Sequence, residues 1–81
     1  MIYVVVFNSR SKTYRIVGVA RSKIVTMHEV PSGTRVSLEG KPYVTTCDRL
    51  TVLASILSPG ADTYQGSYPH ARNRINKLEE G

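Results

Sequence analysis

Ile2-Tyr3-Val4-Val5-Val6-Phe7, then Asn8-Ser9-Arg10-Ser11-Lys12-Thr13, then Tyr14-Arg15-Ile16-Val17-Gly18-Val19-Ala20: the reading of this stretch decides the fold. The first segment is β-branched and aromatic without interruption, the pattern of a strand covered on both faces. The second supplies turn-forming side chains. The third predicts a strand that returns along the first, closing a hairpin. Side chains alternate along a strand, so Arg15, Val17, Val19 and Arg21 share one face, with the two valines inward and the arginines flanking them.

Beyond the hairpin the strand signal continues. Ile24 to Val30 predicts a third strand, with Ile24, Thr26, His28 and Val30 on one face and Val25, Met27 and Glu29 on the other. Pro31-Ser32-Gly33 is a turn, because proline presets the first turn angle and glycine accepts a positive φ. Arg35-Val36-Ser37-Leu38 alternates, with Val36 and Leu38 inward. Glu39-Gly40-Lys41 turns the chain into Tyr43-Val44-Thr45-Thr46. The period then becomes helical. Leu50, Leu53, Ile56 and Leu57 form one apolar stripe, with Thr46 or Asp48 as a candidate cap and Ser58-Pro59-Gly60 as the stop. Ala61 to Gly66 is a linker. Ser67 and Pro69 open a second helix, whose Ala71, Ile75 and Leu78 line one face. The expected class is α+β: a small antiparallel sheet of about five strands (residues 2–46), then two C-terminal helices packed on one face.

Eighty-one residues predict a single domain, 1–81, near the lower size limit for folding on a hydrophobic core alone. A chain of this size has little apolar area to spare for a deep pocket. The lone Cys47 excludes an internal disulfide scaffold and points to a reducing, cytoplasmic setting. The run Ile2–Phe7 is too short for a signal-peptide core, and no segment approaches the roughly 20 apolar residues of a membrane span. A soluble, intracellular protein with no membrane partner is expected.

The charge is unevenly placed. The net charge is +5, and Arg10, Lys12, Arg15, Arg21 and Lys23 carry all of it, because the first acid is Glu29. From Glu29 onward the six bases Arg35, Lys41, Arg49, Arg72, Arg74 and Lys77 balance Glu29, Glu39, Asp48, Asp62, Glu79 and Glu80. On a hairpin the basic window splits in two. Arg10 and Lys12 precede the second strand and Arg21 and Lys23 follow it, roughly 20 Å apart, with Arg15 between. Such a footprint suits an extended polyanion. A second stretch, Tyr64 to Lys77, interleaves basic, amide and aromatic groups of the kind that contact phosphates and stack on bases; Tyr68, Arg72 and Arg74 are its candidates. Against these stand ordinary readings: solvated loop charges in the first case, an amphipathic docking helix in the second.

Catalysis has no motif here. H-E-x-x-H, C-x-x-C, G-x-S-x-G and P-loop spacings are absent, and no cofactor or metal is implied. His28 reads as a surface or satisfied core histidine, and Cys47 as a small packed hydrophobe. Among the tyrosines, Tyr3 and Tyr14 read as strand residues, and Tyr64 and Tyr68 as interface candidates. Tyr14-Arg15-Ile16-Val17 after Ser9-Arg10-Ser11 resembles the first hairpin of the CcdB-type gyrase-poison toxins, small barrel-like proteins with a terminal helix. The likeness ends by Val30, and no toxin residue is carried over.

The leading expectation is a non-enzymatic protein that binds nucleic acid, RNA favoured, through backbone charge. The rival is a protein–protein interaction module, such as a phage- or plasmid-encoded inhibitor of a nucleic-acid-handling enzyme. The third is a small ribonuclease-type toxin working through His28 or His70. A homodimer paired through exposed sheet edges is compatible with any of them.

Overall fold

A computed structural model describes residues 1–60 and 63–80. The strands are β1 (Ile2–Asn8), β2 (Thr13–Val19), β3 (Ile24–Val30), β4 (Gly33–Leu38) and β5 (Lys41–Thr46); the helices are α1 (Leu50–Leu57) and α2 (Tyr68–Glu80). Short 3-10 turns occupy Arg21–Lys23 and Thr63–Gly66. The chain is α+β, as the pattern predicts. Of the linker expected over Ala61–Gly66, Ala61 and Asp62 lie outside the described residues, as does Gly81.

The expected single sheet is instead two antiparallel sheets, β1-β2 and β3-β4-β5. The free edge of β1 meets the end of β5 at one residue. The Cys47 N–H donates to the Val5 carbonyl (2.8 Å), and the Val5 N–H donates to Asp48 Oδ2 (3.0 Å). A ladder cannot propagate from there, because the second bond uses a side chain and the chain then leaves for α1.

The expectation of both helices on one face is also corrected. Ile2, Val4 and Val19 pack with Val36 of β4 and with Leu53 and Ile56 of α1. Val5, on the other side of β1, packs with Ala71 and Ile75 of α2. The β1-β2 hairpin is therefore the middle layer, between α2 on one side and α1 with the three-stranded sheet on the other. This arrangement is why six consecutive apolar residues suit β1.

Two local expectations shift. A bulge between Ile24 and Thr26 brings Ile24 and Met27 together on the core side, which moves Met27 across the face assigned to it. Arg49, not Thr46 or Asp48, is the N-cap residue of α1, and it makes no side-chain capping bond. The Thr46 and Asp48 side chains are used inside. For α2 the expected start holds: Ser67 Oγ accepts from the His70 N–H (3.4 Å).

After the Pro31-Ser32 turn, Gly33 opens β4 in tight backbone contact with the end of β5. Gly33 has φ +148°, and a Cβ there would collide with the Thr46 carbonyl oxygen and approach Cys47 Cα at 3.0 Å. Gly33→Ala should therefore cost about 1–3 kcal/mol, read as a drop of several degrees in a circular-dichroism melt.

Candidate nucleic-acid interface

The β1-β2 turn is built by its own polar side chains. Asn8 Oδ1 accepts from the N–H groups of Arg10 (2.9 Å) and Ser11 (3.4 Å), and the hydroxyls of Ser11 and Thr13 lie 2.6 Å apart. Lys12 closes the loop in the left-handed region, φ +56°. Backbone and short side chains satisfy one another, and the exposed Arg10 and Lys12 side chains have no partner among the described residues. Arg15, opposite Val6 on β2, is exposed at the margin of the core face.

At the other end of β2 the 3-10 turn is pinned at three points. The Lys23 N–H donates to the Ala20 carbonyl (2.9 Å), the Glu39 N–H to the Lys23 carbonyl (2.8 Å), and Arg21 Nη2 to the Ile56 carbonyl (2.8 Å). Ile56 lies in the last turn of α1, where a guanidinium complements the helix dipole. Arg21 is thus partly a structural staple, whereas the exposed Lys23 side chain has no partner among the described residues. The seven-residue strand between the turns keeps the two clusters roughly 20 Å apart.

The C-terminal candidates divide. Tyr68 is exposed, stands edge-on to Tyr3 (centroids 5.7 Å apart), and accepts a 3.4 Å bond from Arg72 Nη2. Arg72 is exposed as well. Arg74 is not available to a ligand in the same way. Its Nε donates to Asp48 Oδ1 (2.8 Å), Nη2 to the Tyr3 carbonyl (2.9 Å), and Nη1 to the Gln65 carbonyl (3.4 Å) and to His70 Nδ1 (2.8 Å). A guanidinium only donates, so Nδ1 is the accepting nitrogen of that ring. The Arg74 and Asp48 side chains are 13% and 4% exposed, and theirs is the one ion pair among the described residues. The Asp48 carbonyl in turn accepts from the buried hydroxyls of Thr34 (2.8 Å) and Thr46 (3.3 Å). Arg74 therefore belongs to the fold, and the other seven candidates to the surface.

The histidines are not brought together. His70 is engaged with Arg74 and faces Tyr64 edge-on (5.7 Å), while His28 is exposed on β3. Among the described residues no group of three His, Cys, Asp or Glu is placed to hold a metal. Burial pushes the Cys47 thiol up from its ordinary pKa, the Asp48 charge pushes the same way, and a backbone hydrogen bond at Phe7 opposes both. A protonated thiol is a poor nucleophile.

Sequence reasoning passed over one group. Arg35 Cζ lies 4.5 Å from the centroid of the Tyr43 ring, on the outer face of the three-stranded sheet. The signal was present, since inward Val36 and Val44 send Arg35 and Tyr43 outward.

Among the described residues, no helix is long and apolar enough to cross a membrane. No family model matches the chain, the toxin family whose hairpin it resembles included, and no curated protein or solved structure matches it either.

Proposed function

We propose that this protein binds nucleic acid, RNA in the first instance, as a non-catalytic partner of the phosphate backbone. Arg10, Lys12, Arg15 and Lys23 are the principal contacts. Arg21 adds the donors not used on α1, and Tyr68 with Arg72 form a second contact on α2. One observation carries the reading: four exposed cations, none with a side-chain partner among the described residues, stand at and between the two ends of β2 with no acid in the window. On a single strand the four principal phosphate contacts contribute about −3 to the slope of log affinity against log salt. Filter binding of a single-stranded RNA at two salt concentrations measures it. Absent binding at low salt, or binding indifferent to salt, overturns the proposal.

A specific surface favours the rival reading in part. Phe7 (43% exposed) and Leu78 (40% exposed) line, with Tyr14 and Cys47, a cleft of about 430 Å³ beside the basic turn. An apolar cleft next to cations suits an acidic protein surface. Capture of a partner from nuclease-treated lysate would favour that reading over RNA.

A further inference from the structure

The outer face of the three-stranded sheet holds an ordered group that phosphate binding by the hairpin does not use. Val36 of β4 is buried in the core opposite Met27 and Val44, so its neighbours Arg35 and Ser37 point away from the core. In the ladder Arg35 pairs with His28 on one side and Thr45 on the other, a row across all three strands. Tyr43, 57% exposed, lies against the guanidinium at 4.5 Å. Arg35 makes no hydrogen bond or ion pair among the described residues, so its five N–H donors face solvent.

The charges around this row favour an anion. Leu38 pairs with Ile24 on one side and Lys41 on the other, so Lys23, which precedes Ile24, and Lys41 stand at the same end of the sheet. The row from Tyr43 over Arg35 to His28 crosses strands spaced about 4.8 Å apart. Glu39 at the near end and Glu29 at the far end are the acids on these three strands and their turns, and neither belongs to the row. An exposed cation–π pair by itself contributes little to folding. A tyrosine and a guanidinium already stacked, with open donors beside them, are what an unpaired base stacks on and what its phosphate bonds to.

We propose that this face is a stacking platform for an unpaired base, which makes the preferred ligand single-stranded rather than duplex nucleic acid. The base continues the stack begun by Tyr43 and Arg35, while His28 and the free Arg35 donors meet the flanking phosphate or the base edge. The proposal rests on the nucleic-acid reading above and names its substrate class.

The chain has no tryptophan, so Tyr43→Trp introduces a unique fluorophore at the platform. Titration with a uridine-rich single strand should quench that indole, saturating over the range in which the oligonucleotide binds; a duplex of equal length should leave it nearly unchanged. Tyr43→Leu should weaken single-strand binding on the order of ten-fold, leave duplex binding unaltered and melt like the parent. Single-strand affinity unchanged in Tyr43→Leu, or no quenching while the strand binds, overturns the platform and leaves the hairpin reading standing. Binding of neither single strand nor duplex by the parent protein overturns both.

Discussion

Asp48→Ala should be the most destabilising single substitution at any polar position of this chain, lowering the melting temperature by at least about 15 °C. The carboxylate is almost fully buried, and it accepts both from Arg74 and from the Val5 backbone. Truncation leaves a largely buried guanidinium without its counter-charge and a β1 N–H without an acceptor. Removing one partner of a buried pair costs about 3–5 kcal/mol, and a fold of 81 residues has only about 4–12 kcal/mol in total. The position is also topological, since Asp48 closes the junction between the two sheets and, through Arg74, holds α2 to β1. Asp48→Asn retains an acceptor for Val5 but loses the charge and turns an NH2 donor toward Arg74, which only donates, so it should fall between the parent and the alanine variant, nearer the latter. Thermal melts followed by circular dichroism read both. An alanine variant within a few degrees of the parent would show that the network is incidental.

Legibility in the sequence followed the range of the interactions. The unbroken apolar run of β1, the polar turn after it, the Pro-Ser-Gly turn and the apolar stripe of α1 are local, and each places its element correctly. The division into two sheets is not local. It depends on Asp48 meeting Val5 across 43 positions of sequence, and nothing in either segment announces the pairing. The bulge at Val25 carries no glycine or other marker, so the alternation over β3 gave Met27 the wrong side. Arg74 was legible in part: three residues after Ala71 and next to Ile75, it borders the buried stripe of α2, where a base needs an acidic partner. Tyr43 needed only the alternation already applied to Val36.

The second large effect concerns binding. Replacing Arg10, Arg15 and Lys23 by glutamine and Lys12 by asparagine should reduce affinity for single-stranded RNA by roughly 10²–10³-fold at 0.1 M salt, the share that four phosphate contacts supply at that concentration. Asparagine is chosen at position 12 because it tolerates the left-handed conformation found there. None of the four side chains has an internal partner among the described residues, so each change should alter stability by no more than about 0.5 kcal/mol. Arg21 is kept, because its bond to the Ile56 carbonyl ties the turn to α1. A loss of binding in this variant then reports charge and not unfolding.

The two-cluster geometry adds a condition on length. A strand that reaches from the Arg10–Lys12 turn to Lys23 must span roughly 20 Å, so very short oligonucleotides should engage one cluster only. They should show a correspondingly shallower salt dependence.

The decisive measurement is the salt dependence of single-stranded RNA binding by the parent and by the four-residue variant, taken side by side on proteins with matching melts. A parent slope steeper than the variant's by about 3, the share of the four removed cations, is the predicted result. Equal slopes for the two proteins would contradict the hairpin as the binding surface.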